Sequence, residues 1–464
     1  MPRHPLAPSV SCPALYRKYV IIKEAANMTL FISIAIALVA GLLMTRLTKI
    51  FNMPDVTAYL LAGILVGPYV LGQLGIEGLG FTTSEAVNNL DLLSNLALGF
   101  IAFALGSEFM LPKLKAIGKQ AVTVGVFQAV VATALVMITL FLLHLIIPDK
   151  LNTPTVIVMS AIAAATAPAS TLLVVRQYKA QGPVTNMLLP VVALDDAVGL
   201  IIFAICMGVA KAISVAGGTL DPVSIIVNPL IEIIASFALG TILGLLLSVV
   251  EKWFNSNKHR MVFIVSAVIL TVALSMMEFD FGSISVGFSP LLVCMMLGTV
   301  FCNTCEVAEE MLERADKWTS PLYCLFFVLS GAALKLDVFT DITIVLIGIV
   351  YIIFRAAGKC LGAFTSAKFT HCGPTVTKYL GITLLPQEGV SLGMSLTAAQ
   401  MLGDTGALIR NLTLFAVLIY ELIAPTLTKI ALTKAGEIQP KSEEVINRRE
   451  NTIKEIQEKR SEQQ

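Results

Sequence analysis

The stretch LPVVALDDAVGL, residues 189–200, has two adjacent aspartates in the middle of an apolar segment long enough to span a membrane. Each aspartate near the centre of a bilayer helix costs about 2.5 to 3.5 kcal/mol on insertion, so an unneutralised pair costs roughly 5 to 7 kcal/mol. A proton, a lysine or a bound cation could neutralise it. Asparagine or serine would join helices at a lower cost. Asp195 and Asp196 therefore predict a site for a cation and a proton.

The composition around this stretch is that of a membrane protein. The 464 residues are 56% hydrophobic and 14% charged, and their mean hydropathy is +0.84. A soluble protein is much less apolar, so the chain is predicted to be an all-α, polytopic protein whose surroundings are a lipid bilayer. A net charge of +1, with no basic cluster outside the C-terminal segment, argues against nucleic acid as a partner. No resident cofactor is expected.

Apolar runs of membrane-spanning length follow one another from residue 29 onward. Each is long enough to cross a hydrocarbon core of about 30 Å as a helix. We predict thirteen spans, at 29–48, 56–72, 89–110, 117–147, 153–176, 183–211, 224–252, 259–278, 286–302, 319–335, 341–367, 377–402 and 407–433.

Lysine and arginine indicate the orientation of these spans. Fourteen lysine and arginine residues lie in one set of alternate connections and four in the other. Because cytoplasmic loops carry the excess of these residues, the N-terminus is expected outside and the C-terminus in the cytoplasm. We divide the chain into an N-terminal extension (1–27), a transmembrane domain (28–433) and a charged cytoplasmic tail (434–464). The extension is polar, and its basic residues would lie on the wrong side, so Met28 is a candidate start and residues 1–27 a candidate untranslated segment.

Two segments of the chain resemble each other. Residues 60–67 in the second span read LLAGILVG, and residues 291–298 in the ninth read LLVCMMLG. A weaker match joins residues 103–106 and 327–331 in the third and tenth spans. An offset of seven spans inverts the topology, so we predict inverted repeats joined by the seventh span. Chance similarity between spans rich in leucine and glycine is the alternative.

Each predicted repeat contains one span that proline interrupts. The fifth span contains ATAPAST (165–171) and the twelfth contains LPQEGVS (385–391). Broken helices at mid-membrane offer backbone carbonyls and helix ends to ions, so we expect Thr166 as a cation ligand, with Ser170 and Glu388 around it. Simple proline kinks are the alternative.

Two cations in the eleventh span are candidates to neutralise the aspartates. Arg355 and Lys359 are four residues apart, so they lie on one face of a helix, which should look towards Asp195 and Asp196. A buried lysine can lose its proton, which makes Lys359 a candidate for proton coupling, whereas Arg355 is a fixed charge. Snorkelling to the membrane surface is the alternative. Glu421, in the last span and distant from both breaks in sequence, is expected to form a contact between helices.

The sequence resembles the monovalent cation:proton antiporter-2 family over residues 28–433. The resemblance is carried by MPDVTAYLLAGILVGP (53–68), by Thr166–Pro168 and by LDDAVGL (194–200). It implies a thirteen-helix homodimer with a scaffold and a six-helix transport core that moves like an elevator. It also implies that Asp196 binds the cation, that Asp195 pairs with Lys359, and that the exchange is electrogenic. The fifth span lacks the acidic residue of some relatives, and Arg355, one turn before Lys359, leaves the partner of Asp195 open.

These observations favour an antiporter in the cell membrane that exchanges sodium, or lithium, for protons. A potassium–proton antiporter or potassium efflux transporter is the first alternative, although an efflux transporter would be expected to carry a nucleotide-binding domain after the last span. A sodium-coupled symporter of organic anions is a more remote one. An intramembrane aspartyl protease needs two carboxylates that face each other, and neighbouring residues of one helix, which diverge by about 100°, cannot form that pair alone.

Overall fold

The computed structural model describes residues 13–51, 53–76, 79–112, 118–215, 227–277, 279–281 and 284–438. The predicted extension and the predicted tail therefore lie partly outside the described residues. The helices are α1 (Pro13–Thr48), α2 (Asp55–Val66), α3 (Ser84–Asn88), α4 (Asp91–Ser107), α5 (Lys119–Ile146), α6 (Thr153–Ile162), α7 (Pro168–Gln177), α8 (Pro183–Val215), α9 (Asn228–Glu251), α10 (Asn257–Ser275), α11 (Pro290–Thr304), α12 (Ala308–Ala332), α13 (Ile342–Phe369), α14 (Pro374–Thr383), α15 (Gly389–Met401) and α16 (Gly403–Lys434). Short 3-10 helices cover Lys49–Phe51, Leu71–Leu74 and Leu336–Thr340.

The protein is a multi-pass membrane protein. Within the described part of the chain, eight segments are long and apolar enough to cross a bilayer, and they belong to α1, α2, α5, α8, α9, α10, α13 and α16. Large apolar side chains such as Leu42, Ile234 and Val262 are exposed on these helices, where a bilayer would cover them. Each of the thirteen predicted spans overlaps one helix or two shorter ones. The number of times that the chain crosses the membrane stays a prediction.

The boundaries differ from the predicted ones at several places. The tenth span is predicted to start at residue 319, but α12 begins at Ala308. Helix α1 already begins at Pro13, so the second half of the predicted extension continues the first span as helix. The ninth span was predicted to start at residue 286, but α11 begins at Pro290. The residues before α11 form a two-stranded antiparallel ribbon, β1 (Phe279–Phe281) and β2 (Ile284–Val286). Apart from this ribbon, the described fold is all-α.

Close helix crossings at glycine organise one half of the molecule, which we call the glycine bundle (α1, α2, α4 and α9–α12). A Cβ atom on Gly63 of α2 would lie 2.0 Å from the Val328 carbonyl oxygen, and one on Gly331 of α12 would lie 2.2 Å from that of Leu60. In the same way, a Cβ atom on Gly106 of α4 would lie 1.9 Å from the Met295 carbonyl oxygen, and one on Gly298 of α11 would lie 2.1 Å from that of Phe103. No side chain fits at these crossings, so the helix pairs are held backbone to backbone.

The two crossings correspond to each other under the predicted repeat. The second and ninth spans (α2 and α11) are one matched pair, and the third and tenth spans (α4 and α12) are the other. The contact of α2 with α12 therefore maps onto the contact of α11 with α4, as an inverted repeat requires. Helix α9 touches both α8 and α11, the position of a connector between the repeats.

Apart from the short α3, the other helices are α5–α8 and α13–α16, and they form what we call the site bundle. Both predicted breaks are real interruptions: α6 ends at Ile162 before α7 begins at Pro168, and α14 ends at Thr383 before α15 begins at Gly389. Proline suits the first turn of α7 because the amide hydrogen it lacks would have no helical acceptor there. The two unwound segments meet, since the Ala167 amide donates to the Pro386 carbonyl at 2.9 Å. A simple kink in a continuous helix is excluded.

Candidate cation and proton site

Lys359 of α13 is the cation that pairs with Asp195 of α8. Its Nζ lies 2.7 Å from Asp195 Oδ2, and both side chains are fully buried. Nζ also donates to Thr166 Oγ1 at 2.9 Å and to the Ala164 carbonyl, both in the first break. The three hydrogens of the ammonium group therefore all have acceptors, and snorkelling to the surface is excluded.

Asp196 is equally buried but has no such partner. It is 2% exposed, and within the described part of the chain neither of its carboxylate oxygens makes a hydrogen bond. The charged groups that act on it are Asp195, Glu108, Lys359 and Glu388, three of them acidic. A buried carboxylate in this setting is unstable as a bare anion, so it requires a proton or a cation. This is the property that an exchange site needs.

Arg355 binds backbone rather than carboxylates. Its guanidinium donates to the carbonyls of Ala163 at 3.2 Å, Ala165 at 2.6 Å and Leu385 at 2.8 Å, and it lies 4.5 Å from the centre of the Tyr420 ring. The first two carbonyls follow the end of α6 and the third follows the end of α14. Arg355 is fully buried and joins the two unwound segments with a fixed positive charge.

Thr166 lies at the meeting point of these groups. It accepts a hydrogen bond from Lys359, and its hydroxyl donates to the Leu384 carbonyl of the second break at 3.2 Å. The predicted oxygen is therefore beside the Asp195–Lys359 pair. Its role as a ligand stays a prediction.

Ser170 and Glu388 form a second polar cluster with Glu421. Ser170 Oγ lies 2.9 and 2.7 Å from the two Glu421 carboxylate oxygens and 3.4 Å from Glu388 Oε2. Thr57 of α2 donates to Glu421 Oε2 at 3.2 Å, so this contact joins the glycine bundle to the site bundle. Both groups of charges complement the helix dipoles. The acidic side chains lie by the N-terminal turns of α7 and α15, and the cations lie by the C-terminal ends of α6 and α14.

Two residues in this region were not anticipated from the sequence. Glu421 was expected in a helix contact, which it makes, but its position beside the first break has no sequence signal. Gln128 of α5 is fully buried and donates to Asp195 Oδ1. An amide in the interior of an apolar span was the signal that could have identified it, since buried polar groups in membrane helices are costly.

Comparisons with known proteins agree with this architecture. The family model of the transmembrane sodium/hydrogen exchanger matches residues 34–434. Cation/H(+) antiporter 18 of Arabidopsis thaliana is 21% identical over 313 residues, which are 67% of this chain and 37% of that protein. The chain thus spans little more than a third of this relative.

Two solved structures share the fold. The sodium proton antiporter MjNhaP1 of Methanocaldococcus jannaschii at pH 8 superimposes with a TM-score of 0.68 at 16% identity, covering 88% of this chain and 99% of that one. An electron-microscopy map of the same antiporter gives a TM-score of 0.63 at 15% identity, with 88% and 98% covered. The family match includes both bundles, both breaks and the aspartate pair, and the chain therefore belongs to the sodium/hydrogen exchanger family, a family of membrane transporters and not of enzymes.

Proposed function

We propose that the protein is a secondary antiporter that exchanges a monovalent cation, sodium in the first place, for protons across the cell membrane. The observation that carries this proposal is Asp196, a buried carboxylate that makes no hydrogen bond within the described residues and that is adjacent in the chain to Asp195 of the Asp195–Lys359 ion pair. The names of the related proteins support the same assignment.

The chemistry of the exchange follows from the state of Asp196. A carboxylate that holds a proton cannot also coordinate a cation, so the two compete for one site. Oxygens are the hard ligands that a small alkali cation prefers, and Thr166 and the Ala164 carbonyl of the first break contact Lys359, the partner of the neighbouring Asp195. Cation binding adds a positive charge near Lys359 and weakens its hold on Asp195. A proton handled at this pair, in addition to the one displaced from Asp196, makes the exchange electrogenic.

Transport also requires the site to open to each side in turn. We infer that the site bundle moves as a unit against the glycine bundle, in the manner of an elevator. The backbone contacts at Gly63 and Gly331 favour a rigid glycine bundle, and side-chain contacts such as Thr57 with Glu421 and Asn95 with Gln400 would have to break during the movement. We further propose a homodimer, with the N-terminus outside and the C-terminus in the cytoplasm.

Competition at Asp196 predicts that the apparent KM for sodium rises as the pH falls. In proteoliposomes with an internal pH-sensitive dye, the KM measured from pH 9 to pH 6 is expected to increase by about tenfold per pH unit where Asp196 is mainly protonated. Liposomes without protein are the control. A constant KM over this range, with activity preserved, would contradict the competition. Sodium, lithium and potassium added in turn identify the cation.

The substitution Thr166→Val tests whether the first break supplies a ligand. Valine has nearly the same shape but no hydroxyl oxygen to coordinate the cation, so the apparent KM for sodium is expected to rise by about tenfold, comparable with the loss of one hydrogen bond to a charged group. Thr171→Val is the matched control, because within the described part of the chain Thr171 bonds only to the carbonyls of Ala167 and Thr383 and not to Lys359. Equal KM values for the two variants would assign Thr166 to packing.

A further inference from the structure

Side chains join the two bundles at the face of the protein where α4 begins. Gln400, in the last turn of α15, donates to Asn95 Oδ1, near the start of α4, at 2.9 Å. Asp91 of α4 and Arg410 of α16 lie close enough for their opposite charges to act on each other. These contacts join the glycine bundle (α4) to the site bundle (α15 and α16). In the proposed orientation this face is the outer one.

A leucine fits against a glycine about one turn deeper in the same interface. Leu98 follows Asn95 by three residues, so both lie on one side of α4. A Cβ atom on Gly393 of α15 would lie 2.3 Å from Leu98 Cδ1, so the leucine side chain fills the space that the glycine leaves. Leu98 is buried there. The contact of Leu98 with Gly393 therefore closes the interface beneath the Asn95–Gln400 hydrogen bond.

This interface is loosely packed. A cavity of about 190 Å³ lies between α4, α10, α11 and α15, and its lining includes Asn95, Leu98 and Gln400. Within the glycine bundle, by contrast, the crossings at Gly63 and Gly331 leave no room for a side chain. A loosely packed interface suits two surfaces that separate and close again, whereas backbone-to-backbone crossings suit helices that stay together.

The opposite face of the protein is arranged differently. A cleft of about 370 Å³ lies between Met53–Val56, at the start of α2, and Leu173 and Gln177 of α7. The two bundles are parted there. Glu108, which is exposed at the end of α4 on this second face, is one of the charged groups that act on Asp196. Asp196 is therefore within electrostatic reach of the face at which a cleft separates the bundles.

We propose that the two contacts of α4 with α15 form an outer gate, which closes the exchange site towards the outside and opens when the site bundle moves. The gate consists of Asn95, Leu98, Gly393 and Gln400. The inference rests on the proposed exchange function and extends it to the step that admits the external cation. All four gate residues are uncharged, so their separation leaves no buried charge without a partner. The structure then represents the state that is closed to the outside.

Linking the two sides of the gate tests whether exchange requires it to open. In Asn95→Cys/Gln400→Cys, a short bis-methanethiosulfonate reagent joins α4 to α15. Sodium-driven proton movement in proteoliposomes should then fall to the level of empty liposomes and return when the link is reduced. Ser248→Cys/Thr304→Cys is the matched control, because these hydroxyls lie 2.6 Å apart on α9 and α11 of the same bundle. Wild type treated with the reagent controls for the native cysteines. Continued exchange by the linked protein would overturn the inference.

A second measurement does not depend on transport. Ala102 follows Asn95 by seven residues on the same side of α4 and is fully buried, so an external reagent reaches a cysteine there only through an open gate. A membrane-impermeant maleimide added to intact cells should label Ala102→Cys about fivefold faster when Gln400→Ala is also present, the effect of one lost hydrogen bond on the open population. Gln120→Ala is the matched control, because Gln120 donates to the Thr370 carbonyl at 2.8 Å within the site bundle.

The outcomes separate the two proposals. Faster labelling in a protein that exchanges no cation supports the gate and refutes the proposed function. Equal labelling with Gln400→Ala and with Gln120→Ala, in a protein that does exchange, refutes the gate alone. If the Gln400→Ala protein does not accumulate, Gly393→Ala takes its place, because the added methyl group would displace Leu98 and should also speed the labelling. An unchanged labelling rate in that variant would again overturn the inference.

Discussion

Replacing Asp196 by asparagine is expected to abolish cation-driven proton movement while the protein still folds. The amide binds no proton in the physiological range and carries no charge for a cation. Neither carboxylate oxygen makes a hydrogen bond within the described residues, so the substitution breaks none there. It also removes an insertion cost of about 2.5 to 3.5 kcal/mol, so stability should be unchanged or higher.

The measurement is dye dequenching in proteoliposomes, together with the thermal stability of the purified variant. Asp404→Asn is the matched control, since it makes the same chemical change at an exposed position in the first turn of α16. Activity at the level of empty liposomes is expected for Asp196→Asn and wild-type activity for Asp404→Asn. If the exchange rate of Asp196→Asn clearly exceeded that of empty liposomes, the binding site would have to lie elsewhere in the protein.

Asp195→Asn is expected to give a slower exchanger that no longer responds to voltage. Asp196 remains and can still trade one proton for one cation. Lys359, however, loses the carboxylate 2.7 Å away that supports its charge in a fully buried position. A buried lysine without a counter-charge tends towards its neutral form, so it no longer carries a proton through the cycle. One cation for one proton moves no net charge.

The test is sodium-driven proton movement with and without a potassium–valinomycin clamp of the membrane potential. The wild type should slow without the clamp, because its own charge movement opposes further exchange, and Asp195→Asn should proceed equally in both conditions. Lys359→Gln tests the same ion pair by removing the charge of the lysine instead of that of the aspartate. A wild type that ignores the clamp, or an Asp195→Asn protein that depends on it, would rule out this division between the two aspartates.

The parts of the site that were predictable are those whose cost is visible in the local sequence. A membrane helix rarely contains charged residues or proline, and where it does, function is the usual reason. This chain has two aspartates, a lysine and an arginine inside apolar spans, and prolines in two other spans. Their presence at one place follows from the inverted repeat, which the similarity of residues 60–67 and 291–298 already indicated. The location of both breaks was therefore predictable.

The partners of these residues were not predictable, because they depend on contacts between distant segments. The four-residue spacing of Arg355 and Lys359 gives a common face but not the depth of each head group. The structure places carbonyl oxygens around Arg355 and a carboxylate beside Lys359. Glu421 reaches the first break only because α16 packs against α7. Sequence similarity likewise identified which helices correspond, but not that α2 crosses α12.

The joint that Arg355 forms has a consequence for biogenesis. Its guanidinium binds the carbonyl of Ala165, which lies 190 residues earlier in the chain. At about 5 to 20 residues per second, Arg355 is therefore synthesised about 10 to 40 s after Ala165. Unwound backbone is tolerated in the hydrocarbon only where protein or water surrounds it. The newly made first half is therefore expected to enter the membrane with residues 163–167 still wound or hydrated. The open segment that forms the site would then arise only when the second half docks, as a late step of assembly.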